Sequence, residues 1–380
     1  MRRLLFVSLA AVWLYPAAQV RAAESLRLRV VSLNVRAFPG ALPRRSERLA
    51  ALAPALTALA PDVVVLQGAW PSSGRERIAA ALKDAGLKHH RYFRSRIFGS
   101  GLFVAARYPI EQAAFEAFDV SGGPHKPREL DWYGGKGFAS CLLQTPVGPL
   151  RIVNAHLQAA YPADSYERVR YAQLVQLVGG LADASAPLVV AGDLSHRLDD
   201  QGMRSLTGRA GLRFAGAVGS SRVDHVLARD GGGLRADIAA FHLALDEPVD
   251  LGGGQGRLSD RPALVAEVVL SSGAARPPAR GAPAPAVTAD DLHATAQALR
   301  GELKRCLALG VLLLFGGVFL EAAAKRTAAR ACVLLLLGAA LVLFAFATQY
   351  LGPQAEGCDR AAVELLRAQL PLGLADVQER

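Results

Sequence analysis

Between Leu26 and Leu270 the chain alternates short apolar, β-branched runs with longer stretches of helical period, separated by turns marked with glycine or proline. That alternation is the pattern of a layered α/β domain. Strands are predicted at residues 28–33, 63–67, 102–106, 138–144, 150–155, 188–191, 223–228 and 263–270. Helices are predicted at 44–59, 75–85 and 166–181. The last carries Val169, Leu174, Val175 and Leu177 as its apolar positions, with Asp164 and Glu167 spaced as a capping box. Pro54 is expected to kink or shorten the first, because proline lacks the N–H a helix interior needs.

The pattern changes at both ends. Met1-Arg2-Arg3 precedes an apolar run over 4–18, and Val20-Arg21-Ala22 offers small residues for cleavage, so residues 1–23 read as an export signal. The alternative is an uncleaved anchor, which Pro16 and the shortness of the run disfavour, since a spanning helix wants about 20 residues. After the domain of 24–270, the Ala/Pro/Gly-rich stretch 271–289 reads as a linker and 290–305 as a juxtamembrane helix. Apolar runs at 306–320 and 332–351 are expected to form a transmembrane helical hairpin over 306–351, followed by a polar, amphipathic tail, 352–380. Lys325, Arg326 and Arg330 between the runs favour a cytoplasmic loop, which agrees with an exported body.

Composition fits this division. The hydrophobic share of 52% and mean hydropathy of +0.23 are high for a wholly soluble protein, and the excess sits at the two ends. A net charge of +10 suits anionic lipid headgroups or nucleic acid, and is equally an ordinary outcome of an arginine-rich composition. The four cysteines, Cys141, Cys306, Cys332 and Cys358, form no CxxC or His/Cys cluster, so neither a disulfide framework nor a zinc site is indicated.

Candidate chemistry gathers at the strand ends. Ser32-Leu33-Asn34 and Leu66-Gln67-Gly68 close two early strands, and Asn154-Ala155-His156-Leu157 closes the fifth. Gly192-Asp193-Leu194-Ser195 follows a buried apolar strand, Val223-Asp224-His225 begins the next, and Leu258-Ser259-Asp260-Arg261 completes the series. Each motif alone is what a capped turn looks like. Their order along one chain is far more specific.

With these motifs, and with Phe93-Arg94-Ser95, Gly99-Ser100-Gly101-Leu102, Asp131-Trp132 and Lys136, the chain resembles the endonuclease/exonuclease/phosphatase superfamily. Within it the chain resembles the neutral sphingomyelinases that carry two C-terminal membrane spans. The resemblance implies an α+β four-layer sandwich, two facing β-sheets flanked by helices, with Mg2+ at one rim and hydrolysis of a phospholipid phosphodiester as the reaction. It implies that Asn34 helps hold the metal, that Asp193 orients water, and that His156 contacts the scissile phosphate. Asp224 is implied as a second metal-site residue, Asp260 as the support of a final histidine, and Asp131 with Lys136 as a switch pair.

Three departures alter that expectation. The family's glutamate ligand is replaced by Gly68, which has no side chain to coordinate with, and Mg2+ held by one or two carboxylates then loses its chief one. The asparagine that would donate to phosphate is Ser195. The final histidine is Arg261, and a guanidinium stays protonated where a general base must accept a proton. A forked guanidinium is instead suited to clamping a phosphate. His196 and His225 lie one position along from the expected residues and so point to the opposite face. The expected protein is therefore an exported, membrane-anchored relative of neutral sphingomyelinases, with phospholipid as partner and the conventional hydrolysis degraded or lost. A phosphodiesterase acting on lipid or nucleic acid through a non-standard site is the alternative, and the membrane hairpin favours lipid.

Overall fold

Ten residues of β-branched and leucine-rich sequence form the first strand, β1 (Ser25–Asn34), whose inner half is wholly buried. In the computed structural model, residues 25–38, 42–123, 129, 131–162, 165–181, 185–197, 199–200, 203–204, 207–208, 210–214, 223–277, 287–323 and 327–369 are described. The expected signal, residues 324–326 with Lys325 and Arg326, and residues 370–380 lie outside them.

Along the chain β1 is followed by α1 (Arg45–Ala58), β2 (Val63–Gln67), α2 (Ser72–Asp84), β3 (His89–Tyr92) and β4 (Phe103–Ala106). The next group is β5 (Ile110–Ala117), β6 (Gly137–Thr145), β7 (Gly148–His156), α3 (Glu167–Gly180) and β8 (Leu188–Asp193). Then come β9 (Arg213–Phe214), β10 (Asp224–Arg229), β11 (Leu234–Ala244), the small ribbon β12 (Val249–Asp250) with β13 (Gln255–Gly256), and β14 (Ala263–Ser272). Two six-stranded sheets result, ordered β11-β14-β1-β2-β4-β3 and β5-β6-β7-β8-β10-β9. Each is mixed. The only parallel neighbours among them are β1 with β2 and β7 with β8, each joined by a crossover helix.

The sheets face each other across a core that includes Val30, Val65, Val104, Ile152, Val189 and Val268. On the outer face of the first sheet, Leu52, Leu56, Ile78 and Leu82 of α1 and α2 cover Val31, Val64 and Val265. On the outer face of the second, Leu174 and Leu177 of α3 pack over Val153, Val190 and Leu227. All eight predicted strands are present. The three helices are present too, and α1 runs unbroken through Pro54, which lies on its exposed side, where water can serve the freed carbonyl. Helix α3 starts at Glu167 with no side-chain cap, Tyr166 before it being left-handed; Asp164, the expected cap, lies outside the described residues.

The C-terminal part is more integrated than a linker and tail. Strand β14 extends to Ser272, and Arg276 pairs with the buried Asp230 at 2.8 Å and with Asp237 at 2.6 Å, so the packed body reaches beyond residue 270. Helix α4 (Ala289–Ala323) opens on a reciprocal cap, Thr288 N donating to Asp291 at 2.9 Å and Asp291 N to Thr288 Oγ1 at 3.2 Å. Helix α5 (Thr327–Phe346) passes through a π-helical turn, Ala347–Leu351, into α6 (Gly352–Gln369). Leu292 and Ala296 of α4, and Cys358, Ala362 and Leu365 of α6, join the core over α3. Among the described residues one helix, 332–366, is long and apolar enough to cross a membrane, with a mean hydropathy of 2.3. All four cysteines are unpaired.

Candidate active site

Parallel pairing brings the carboxyl ends of four strands to one rim. Asn34 is in register with Gln67, and His156 with Asp193, while Asp224 opens antiparallel β10 directly opposite Asp193. The two sheets are stitched together here by polar groups: Gln67 Nε2 donates to Asn154 Oδ1 at 2.8 Å, and Asn154 Nδ2 to the Leu66 carbonyl at 2.9 Å. Asn34 Nδ2 crosses the same gap to Asp193 Oδ2 at 2.9 Å and lies 3.4 Å from His156 Nε2.

Asp193 is the hub. Its Oδ1 accepts from both the N–H and the hydroxyl of Ser195 at 3.0 Å, and its Oδ2 accepts from Asn34 and, at 2.6 Å, from Arg261 Nη2. Arg261 Nη1 reaches Asp224 Oδ2 at 2.8 Å, so one guanidinium bridges both carboxylates. The fork expected to face a phosphate is therefore spent on the protein's own acids. Ser195, left-handed at φ 52°, directs its hydroxyl to Asp193.

Asp260 is bonded to Arg36 rather than to this cluster, its Oδ2 accepting from Arg36 Nη1 at 2.6 Å, while its charge still reaches Arg261 and Asp224. Asp131 and Lys136 form an ion pair at 3.1 Å that is buried, with side chains 10% and 2% exposed, and Lys136 Nζ also donates to the Leu157 carbonyl at 2.9 Å. His225 Nε2 bonds the His196 carbonyl at 2.6 Å and His196 Nδ1 lies 3.2 Å from Asp200, so both rings are engaged away from the Asp193–Asp224 cluster.

Electrostatics follow from one cation shared by two buried acids. Burial alone would raise the Asp193 carboxyl, but the permanent charge of Arg261, with that of Lys136, outweighs it and holds the carboxyl well below the usual range. Burial and the charge of Asp193 push Asp224 up to about 7 despite Arg261. Burial opposes the charge on Arg261, yet Asp193 and Asp224 keep it firmly protonated. Burial, with Lys136 next, lowers His156 well below its ordinary value, so the ring is neutral near pH 7, and its Nδ1 has no partner among the described residues.

These residues do not fit a divalent metal. Gly68 has φ +68°, and a Cβ there would stand 2.8 Å from Asn34 Oδ1 and 3.1 Å from the Arg36 nitrogen, so a side chain at this position would be strained and crowded. Asn34 Oδ1 already accepts from Arg36 N–H at 3.1 Å, and Arg261 holds both acids. No group of three or more His, Cys, Asp or Glu able to hold a metal exists among the described residues.

Sequence reasoning missed the residue that holds this rim together. Arg48, 3% exposed, donates to the carbonyls of Val35, Leu258, Arg36 and Pro43 at 3.1, 2.6, 3.2 and 3.1 Å, tying the loop after β1 to the loop bearing Arg261. Its only signal was an arginine at a core-facing position, between Leu49 and the turn of α1. Arg48→Met is expected to orphan these carbonyls and cost about 2–4 kcal/mol, measured as a lowered urea midpoint.

The pattern of the endonuclease/exonuclease/phosphatase family matches residues 31–261. The chain belongs to that family. It is 30% identical over 200 residues to sphingomyelin phosphodiesterase 2 of Rattus norvegicus, covering 50% of this chain and 46% of that protein. It is 31% identical over 174 residues to the inositol phosphosphingolipids phospholipase C of Schizosaccharomyces pombe, covering 44% of this chain and 41% of the relative. The chain thus spans less than half the length of either. Beta toxin from Staphylococcus aureus superposes with a TM-score of 0.50 at 15% identity, covering 63% of this chain and 99% of the toxin, a likeness of fold. A mutant of that toxin has been solved with bound magnesium ions.

Proposed function

We propose that this is a membrane-held, sphingomyelinase-like family member in which Mg2+-dependent phosphodiester hydrolysis has been lost and lipid recognition retained. The observation that carries this reading is the Arg261 fork across Asp193 and Asp224. A fixed internal cation neutralises the acids that would otherwise attract a divalent ion, and a permanently protonated guanidinium cannot serve as general base. Neutral His156 and the Asn34–Asp193 bond support a retained framework at a rim whose charged groups are paired with one another.

Membrane attachment is supported by the path of the chain. Helices α4 and α6 both pack on α3, so the segment between them leaves and re-enters on one side of the body, as a helical hairpin requires. Leu312, Phe315, Leu334, Leu335 and Leu341 expose apolar side chains on both arms. The arms meet through small residues: a Cβ at Gly310 would lie 3.2 Å from Phe344, and one at Gly317 3.1 Å from Leu337. Export of the body and a cytoplasmic turn complete the reading, with phospholipid as partner rather than nucleic acid.

The test is hydrolysis by the full chain in sphingomyelin-containing nanodiscs. Phosphocholine release is expected to equal the blank with or without Mg2+. Mg2+-stimulated release that disappears in Asp193→Ala would overturn the reading in favour of a working phosphodiesterase with a non-standard site.

A further inference from the structure

A groove of about 710 Å³ separates the turn after β5 from the body-proximal end of α5. Trp132 forms one wall, Val342, Ala345 and Phe346 the other, and Gln349 and Tyr350 of the π-helical turn lie at its end. Its volume lies within the range of small-molecule sites and is enough for part of a lipid, one acyl chain and its linkage.

Three features identify the occupant. The α5 wall is continuous with bare apolar helix surface, Leu341 and Val342 being 67% and 68% exposed. If α5 spans a bilayer, acyl chains cover that surface and run into the groove. Second, the Trp132 indole N–H is buried and has no acceptor among the described residues, a costly state that a ligand oxygen would relieve. Third, the Arg96 guanidinium lies 4.8 Å from the Trp132 ring centre and has no carboxylate partner among the described residues. A cation beside an apolar slot is complementary to a phosphate attached to a hydrocarbon chain.

The groove is also connected to the candidate active site. Ring centroids step from His156 to Trp70 at 6.2 Å, to Phe38 at 5.2 Å, to Phe98 at 5.1 Å, to Tyr133 at 6.3 Å and to Trp132 at 5.1 Å. Exposed Ile97 and Phe98 lie on this strip, beside Arg96. Amphipathic aromatics and arginine are the residues that settle at the headgroup level of a bilayer.

We propose that the Trp132–α5 groove binds a bilayer phospholipid, its acyl chain along Val342–Phe346 and its phosphate region against Arg96 and the Trp132 indole. The site rests on the reading of α5 as a membrane span. It places the aromatic strip at the membrane surface and turns the rim of the candidate active site toward the headgroups.

Native mass spectrometry of the full chain released from phosphatidylglycerol nanodiscs tests it directly. One retained lipid is expected, falling at least fivefold in Ala345→Phe, which fills the groove, and in Arg96→Gln; absence of lipid on the unmodified chain overturns the proposal. A fluorescence experiment separates the site from the membrane reading. In a chain whose only tryptophan is Trp132 (Trp13→Phe, Trp70→Phe), brominated phosphatidylglycerol is expected to quench emission, and Ala345→Phe to reduce that quenching at least twofold. Quenching unaffected by Ala345→Phe means that Trp132 merely rests at the interface, and the groove site falls. A companion chain with Val342→Trp as its sole tryptophan reports on α5 itself; no quenching there removes the membrane reading and the proposal together.

Discussion

Replacing Arg261 by leucine is expected to destabilise the body by about 3–5 kcal/mol, the cost of stranding a buried charge by removing its partner. Asp193 and Asp224 face each other across the β8–β10 register, and one guanidinium serves both. Without it, two buried carboxyls in adjacent positions repel and cannot both ionise cheaply. The loss should depend on pH. In the native chain Asp193 is held below its ordinary range, so its contribution is present above the unfolded carboxyl value near 4 and is lost only in strong acid. Asp224, pushed up to about 7, already gives the native chain some gain as pH falls; in Arg261→Leu both carboxyls are raised, so the variant regains more stability between pH 7 and 4, where the folded state binds protons the unfolded chain has released. The difference between native and variant is therefore largest at pH 7 and smaller at pH 5. Urea titrations at the two values measure it. Adding Asp193→Asn and Asp224→Asn to Arg261→Leu should recover much of the loss. A single variant that unfolds at the native midpoint at pH 7 would mean that the bridge contributes nothing.

That bridge marks where reading the sequence stops. The eight central strands were legible because buried β-branched runs such as Val63–Gln67 and Leu188–Asp193 have no other good use. Strands β5 and β11 were not, since they are half-exposed and carry polar or alanine residues whose place is set by pairing with β6 and β14. The cap of α3 was expected from spacing alone, whereas the reciprocal cap occurs at Thr288 and Asp291, a pair with the same grammar. Asn34, His156, Asp193 and Asp224 were recognisable as strand-end residues, and strand order brings them to one rim. What Arg261 touches was not. A guanidinium at that position is equally able to meet a phosphate or two aspartates, and only the approach of β8 and β10 to the loop after β13 decides. Arg48 was hidden for the same reason: its acceptors are backbone carbonyls distant in sequence.

Restoring the metal site is expected to need two changes at once. Gly68→Glu supplies the missing carboxylate, but Arg261 would still occupy Asp193 and Asp224; Arg261→His frees both acids, but leaves Mg2+ without its chief ligand. Calorimetry on the full chain in detergent should therefore detect Mg2+ only when both substitutions are present. The combined variant has a conformational cost as well. A side chain at φ +68° is worth roughly 1–2 kcal/mol of strain, and the new Cβ must displace Asn34 Oδ1, which it would meet at 2.8 Å. Asn34 can turn, since the contact is the end of a side chain, but its bond from Arg36 N–H is then lost. With Ser195→Asn added, hydrolysis in sphingomyelin nanodiscs should rise above the blank, which the native chain does not exceed, and returning the base position to Arg261 should lower it by about 10²- to 10⁴-fold, the span associated with a general base. Mg2+ binding by Gly68→Glu alone would show that Arg261 yields to the ion. Binding by Arg261→His alone would show that two freed aspartates suffice and that Gly68 was never the obstacle.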